Sequence, residues 1–410
     1  MKKLGFLCAG LVAVLLLAYP MQMSARAEEV TLKTMSIFAG TDVAANTYAK
    51  LLKQWQEQTG YAINDFSATS DEAWKSSVLK DFAAGNEADV LFFFAKTPES
   101  ATILNKVVPI SEINAAYPGL NLKRDADMTE CDGEVYAIPV RPYWEGLFCN
   151  IDLFERYGVE LPTSWEKLEA AITAFNNVGI VPISVSLSDV PHYLAEFSIL
   201  CSASHEEYAA RPAANDPVPQ SWIEGMRLIR KLYEMNAFPK NASATTEAFT
   251  SQLFRDKKAA MQIDGSWFAN SIKPGSMNTT VVLPFPAYSE KADSTAYIYG
   301  VSMGFYLTRA AWKDDLRRDA AVDLLHFLTK GINAAALCVY DASGLLLESY
   351  QKMVNDAQSK NLPIQDDMQP DARRRWFAAI PGIADGSVDP AALWAEIMEM
   401  NPFPTKWMYQ

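Results

Sequence analysis

Histidine is nearly missing from this chain. His192, His205 and His326 are the only three in 410 residues. They lie far apart and no C-x-x-C pair accompanies them, so zinc has no support in the sequence. Cysteine is sparse as well: five residues are too few for a disulfide framework in a chain of this length. Positive charge is in deficit, with 36 lysines and arginines against 49 acids and a formal charge of −13. A surface of that sign repels phosphate backbones and anionic lipid, so nucleic acid is not expected as a partner. The tight basic run Arg373-Arg374-Arg375 reads as a solvated helix face. No phosphate loop G-x-x-x-x-G-K-[ST] and no H-E-x-x-H pair occurs, which leaves nucleotide hydrolysis and the zinc hydrolases without their motifs. No cofactor and no catalytic residues are expected.

Long apolar runs are also lacking beyond Leu4 to Leu17. That run follows Lys2 and Lys3 and precedes Ala25-Arg26-Ala27, the arrangement of a secretory signal over residues 1–27. It falls short of the roughly 20 residues a membrane span needs. A lipid anchor would need a cysteine just after the run, whereas Cys8 lies inside its early part. Cleavage removes three positive charges and leaves Cys131, Cys149, Cys201 and Cys338. Of these, Cys131 with Cys149 is the pair to test, with two buried free thiols as the alternative.

The rest of the chain alternates strands and helices. Val30 to Phe38 reads as a strand. Tyr48, Leu51, Leu52 and Trp55 then recur on one helix face, with Thr59-Gly60 as the stop. Tyr61 to Phe66 reads as a strand, Glu72 to Ala84 as a helix and Ala88 to Phe94 as an unbroken apolar strand, the pattern of a parallel strand buried on both faces. Such alternation predicts an α/β lobe. Thr163 to Glu166 fits a capping box ahead of the stripe Trp165, Leu168, Ile172 and Phe175. Gly179 to Leu187 adds a strand, and Arg211 to Gln220, rich in proline, reads as a surface loop. Thr295 to Leu307 reads as one strand-like segment with two glycines. The chain to Gln410 is expected to be helical, with Pro and Gly breaks.

The stretches "DGEVYAIPV", "GLFCNIDLFERYGVELPTSWEKLEAA" and "LFRDKKAAMQIDGSWFANSI", in that order, resemble the family 1 extracellular solute-binding proteins of ABC sugar importers, relatives of maltose-binding protein. "EADVLFFF", "VVLPFPA" and the Gly300 region extend the likeness over most of the mature chain. The resemblance implies a two-lobed α/β periplasmic binding protein fold of type II, with the ligand cleft between the lobes and hinge closure around the ligand. By analogy the N-terminal lobe takes residues 28–140 plus 300–328, and the C-terminal lobe 141–299 plus 329–410. It further implies an exported, monomeric receptor, periplasmic or on the extracellular face of the membrane where there is no outer membrane, that hands its sugar to a membrane permease.

A neutral sugar offers C–H faces that prefer aromatic rings and hydroxyls that need polar partners once water is removed. Trp267, after the Asp264-Gly265-Ser266 turn, is the residue the resemblance places on the cleft wall. Asp264 either caps the helix beginning near Ser266 or accepts from a ligand hydroxyl. In "RPYWEG", Tyr143 or Trp144 would stack, with Arg141 or Glu145 on hydroxyls; core packing is the competing reading. Phe38, Thr41 and Asp42 follow the first strand, Phe94 and Lys96 the third, and Asp42 is also a natural N-cap. Tyr299 and Trp376 are further platforms, the latter with a core role as its alternative. Other functions remain open: a receptor for a polyamine, phosphate or ferric ion, or a secreted glycosidase. No acidic pair is singled out by spacing for hydrolysis. The acidic tract Asp125, Asp127, Glu130, Asp132 and Glu134 lacks EF-hand spacing and reads as a solvated loop.

Overall fold

The computed structural model describes residues 30–40, 42–125, 128–130, 132–338 and 342–404. The expected signal segment, Thr41, Asp127 and Cys131 fall outside the described residues. In chain order the strands are β1 (Thr31–Met35), β2 (Ala62–Asp65), β3 (Val90–Phe94), β4 (Ala137–Pro139), β5 (Tyr143–Asn150), β6 (Val181–Ser184), β7 (Ala259–Gly265), β8 (Thr280–Leu283), β9 (Tyr297–Gly300), β10 (Met303–Leu307) and β11 (Lys360–Asn361). The described chain divides into two compact units. One takes residues up to Ala95, Glu99–Arg141 and from Ser302 to 338; the other takes Lys96–Pro98, Pro142–Val301 and from 342 onward. Helix Gly331–Leu337, which the sequence reading put in the C-terminal lobe, thus belongs to the first unit.

In the first unit the strand order is β2-β1-β3-β10-β4. β1 is parallel to β2 and β3, and β10 runs antiparallel to both β3 and β4. The helix Ala45–Thr59 buries Tyr48, Leu51, Leu52 and Trp55 and ends at Gly60, whose φ of 78° closes the last turn. The next helix, Glu72–Ala84, is capped by Asp71, whose carboxylate accepts from the Trp74 N–H at 2.6 Å. Val90, Leu91, Phe92 and Phe93 are fully buried, as a central strand covered on both faces requires. The acidic tract is less solvated than expected: Glu130 is buried and its N–H donates to the Glu134 carbonyl across a tight turn at Gly133.

The second unit has the order β11-β9-β5-β7-β6, with β8 pairing the far half of β5. Its large core combines β5, β6 and β7 with the helices Trp165–Asn177, His192–Leu200, Gln220–Glu234, Pro370–Asp385 and Pro390–Glu399. Trp165, Leu168, Ile172 and Phe175 are buried as their spacing predicts. The capping box is corrected, however. The N-cap is Ser164, whose hydroxyl accepts from the Lys167 N–H, because Thr163 lies one residue before the turn. The segment Thr295 to Leu307 is not one strand: it breaks at Val301-Ser302, and its halves pair in different sheets as β9 and β10. The basic run is also corrected. Arg373 is buried, Arg375 pairs with Glu396 at 2.7 Å and Arg374 pairs with Asp371, so only part of the triplet faces solvent. Cys149, Cys201 and Cys338 are free thiols, the first two buried.

Candidate functional site

Three strand ends of the second unit meet at one edge of its sheet. β7 ends there at Asp264 and Gly265, β9 at Tyr299 and Gly300, and the antiparallel β5 begins there at Tyr143. The register opposes Glu145 to Gly265 and Tyr143 to Gly300. Opposed residues share a sheet face, so Tyr143, Glu145 and both glycines lie on one face, while Trp144 and Tyr299 lie on the other. This edge holds the carboxyl ends of the parallel strands β6 and β7, where open α/β sheets bind ligands.

The glycines explain the small-residue turn before Trp267. A Cβ on Gly265 would lie well inside van der Waals contact with the Trp267 indole, and one on Gly300 equally inside the Tyr143 ring. Gly265 has a φ of −97°, which alanine also adopts, so its role is to let the indole lie against the backbone. The Trp267 ring centroid stands 5.7 Å from Tyr143 and 5.7 Å from Tyr193. Tyr193 lies 4.3 Å from His192, whose imidazole stacks on Phe377 at 5.0 Å. All five rings are half-buried. They form an aromatic strip that is packed from behind and open in front.

Acid groups lie against this strip. Glu145, Glu196 and Asp264 are 2%, 1% and 1% exposed, and all three act on the Tyr193 hydroxyl. Burial pushes the Asp264 carboxyl up to about 8, helped by Glu247, although the Gly265 N–H at 2.7 Å and Gln262 at 3.1 Å donate to it. Burial likewise pushes Glu196 up to about 8 against the Gln365 N–H, which donates at 2.9 Å. Glu145 is held well above the usual carboxylate range, first by burial and then by Glu196, Asp366 and Asp264. The Tyr143 hydroxyl donates to Asp366 at 3.2 Å. At neutral pH this cluster holds protons and can donate as well as accept hydrogen bonds.

The residues singled out from sequence separate into three groups. Trp267, Tyr143, Asp264 and Glu145 are brought together here. Asp264 does not cap a helix: the 3-10 segment Ser266–Ser271 has no side-chain cap, and the carboxyl is turned onto Gln262 and Gly265 instead. Trp144 packs between Phe148 at 5.7 Å and Tyr350 at 4.7 Å and is 4% exposed, and Tyr299 lies on that same opposite face with the Lys360 ammonium over its ring. Trp376 is a correction: at 0% exposure, against Trp394 and Phe377, it is a core residue.

The remaining candidates belong to the first unit, except Lys96, which falls in the second. Arg141 makes a two-pronged pair with Asp42, at 2.8 and 3.1 Å, donates to the Leu337 carbonyl and lies 4.9 Å over the Phe38 ring. Asp42 also accepts from the Ala44 N–H at 2.8 Å, so it acts at the helix start. Phe38 is 3% exposed within a cluster of Tyr48, Phe92 and Phe305. Phe94 is half-buried, with the Lys75 ammonium 4.4 Å above its ring. Lys96 has a left-handed φ of 56°.

Sequence reasoning missed Tyr193, His192, Glu196, Asp366 and Phe377. No residue pattern in the sequence marks them; in the fold, Val190 takes a φ of 57°, a strained position for a β-branched residue just ahead of the helix that carries three of the five. A small cavity of about 10 Å³ lined by Asn150, Phe254, Lys257 and Thr280 sits at the opposite end of β5, with room for about one water.

Comparison with known proteins agrees with this architecture. A family model described as bacterial extracellular solute-binding protein matches residues 50–364. A curated protein of Brucella abortus (strain 2308), named only as a binding protein, is 22% identical over 255 residues; the match spans 60% of this chain and 60% of that relative. Among solved structures, a chitin oligosaccharide binding protein superposes with a TM-score of 0.77 at 15% identity, covering 90% of this chain and 98% of that one. The maltose/maltodextrin-binding domain of Bdellovibrio bacteriovorus, bound to maltotriose, gives 0.66 at 16% identity over 91% and 98%. The strand order, the two units and the family match together place the chain in the bacterial extracellular solute-binding protein family, with its two-lobed α/β fold.

Proposed function

We propose that this chain is an exported carbohydrate-binding receptor. It holds a sugar or oligosaccharide against the Tyr143, Trp267 and Tyr193 strip, closes on it by a hinge and delivers it to the membrane permease of an ABC importer. The observation that carries this reading is the strip itself: half-buried rings at a sheet edge, held by two glycines and backed by acid groups. Rings suit the C–H faces of a pyranose, and carboxyl groups in either protonation state suit its hydroxyls. Family membership supports a binding role without catalysis, and the ligands named for the two structural neighbours support a saccharide. The apolar leader supports export, and no helix among the described residues is long and apolar enough to cross a membrane. The permease side would supply the energy.

The test is a titration of tryptophan emission and thermal stability against monosaccharides, neutral oligosaccharides, polyamines and phosphate. A saturable response to a saccharide, weakened tenfold or more in Trp267→Ala, is the expected result; a loss of that size corresponds to about 1.4 kcal/mol or more. Turnover of the sugar would favour a glycosidase, and a response to charged solutes alone would refute the carbohydrate assignment.

A further inference from the structure

The buried acids of this protein generally have partners. Asp89 pairs with Arg317, Asp42 with Arg141, Glu196 accepts from Gln365 and the Tyr208 hydroxyl, and Asp264 accepts from Gly265 and Gln262. Glu145 differs. Its Oε2 has no hydrogen-bond partner in the protein, the residue is 2% exposed, and the charged groups that act on it most strongly are acids. Facing it are Glu196 and Tyr193 of the helix His192–Leu200, with His192 beside Tyr193, then Tyr208, Asp264 of β7 and Asp366. Beyond these, Glu247 acts on Asp264 and Tyr193, while Arg211 acts on Glu196 and is paired with Asp367 at 2.7 Å.

An unsatisfied buried carboxyl is costly unless something supplies its partner. A cation would gain a charge-assisted hydrogen bond from Glu145 and the negative faces of the neighbouring rings. Resting on the carbohydrate reading above, we propose that Glu145, with Asp366 beside it and Tyr143, Trp267 and Tyr193 over it, is the subsite for a protonated amine, so that the favoured ligand is a sugar bearing a free amino group. Docking the ammonium ionises Glu145, and the displaced proton leaves to solvent. Affinity for an amino sugar therefore rises with pH until the amine itself deprotonates. A neutral sugar that accepts from protonated Glu145 has the opposite dependence, its affinity falling as the carboxyl ionises.

Calorimetry with three β-1,4 tetrasaccharides that differ only at C2 separates these cases: cellotetraose with hydroxyls, the N-acetylglucosamine tetramer and the glucosamine tetramer. The expected result is at least tenfold tighter binding of the glucosamine tetramer than of cellotetraose at pH 7. Proton release should appear as a binding heat that varies with buffer ionisation enthalpy, and both effects should collapse in Glu145→Gln and shrink in Asp366→Asn. The proton release is measured on the unaltered protein, so it decides the question even if a variant folds poorly. Absence of binding by the glucosamine tetramer, binding no tighter than cellotetraose, or a preference that survives Glu145→Gln overturns the subsite. If the neutral tetramers bind and the amine does not, the subsite fails while the carbohydrate receptor stands; the wider emission panel judges that receptor separately.

Discussion

Replacing Gly265 with alanine adds one methyl group where the Trp267 indole already lies. Three ring carbons of Trp267 crowd the position of the new Cβ, and the glycine's φ of −97° is open to alanine, so the conflict is purely steric. Forcing a methyl into a packed contact costs about 1–3 kcal/mol. Against this stands a gain of about 0.4–1 kcal/mol from stiffening the unfolded chain. The indole can escape only by swinging off the backbone, which loosens its contacts with Tyr143 and Tyr193, each worth about 0.5–1.5 kcal/mol. The expected net loss is about 1–2 kcal/mol, read as a lower urea midpoint at unchanged slope. Ligand affinity should fall about tenfold in the same variant. Because the chain has ten tryptophans, the emission change is isolated by comparing the substitution in wild-type and Trp267→Phe backgrounds. A Gly265→Ala protein stabilised by the entropic term alone, with emission and affinity unchanged, would refute the reasoning.

Gly300→Ala should act in the same way through Tyr143, lowering affinity without altering the Trp267 emission to the same extent. Asp42→Ala or Arg141→Ala should each cost about 3–5 kcal/mol in thermal or urea unfolding, since each strands a mostly buried charge, and the double variant should cost far less than their sum. Near-additive losses would show that the pair is not coupled. Trp376→Ala should cost about 3–5 kcal/mol and leave affinity per folded molecule intact; a binding defect in a stably folded variant would contradict its core placement. Glu196 and Asp264 titrate near 8 in the folded chain and near 4 when unfolded, so the folded state binds more protons between those values. Stability should therefore fall as pH rises through that window, by up to about 1.4 kcal/mol per pH unit per group, and Asp264→Asn should flatten the slope. Urea midpoints that rise steadily from pH 5 to 8.5, with no effect of Asp264→Asn, would refute this assignment.

The periodic elements were open to sequence reasoning because they depend on neighbours within a few residues. Tyr48, Leu51, Leu52 and Trp55 name the buried stripe of their helix, and Val90 to Phe93 are the buried strand that their unbroken apolar run predicts. The small-residue turn Asp264-Gly265-Ser266 ahead of Trp267 is likewise visible in the chain, and the resemblance singles that tryptophan out. What went wrong locally was a matter of one residue, as with Thr163 and Ser164, or of a break invisible to composition, as at Val301-Ser302.

By itself the sequence determined the α/β alternation, the export leader as an expectation and a tryptophan set on a small-residue turn. Only tertiary structure decided which aromatics are open and which are core, because that depends on strand register: Tyr143 and Glu145 share the face that Trp267 covers, and Trp144, one residue away, packs on the other. Only tertiary structure gathered Glu196, Tyr193 and Asp366 around Glu145 from segments remote in the chain. The charge states of these groups follow the same logic, since the proton affinity of a carboxyl is set by how much water and how many like charges surround it, and neither is written in its nearest neighbours.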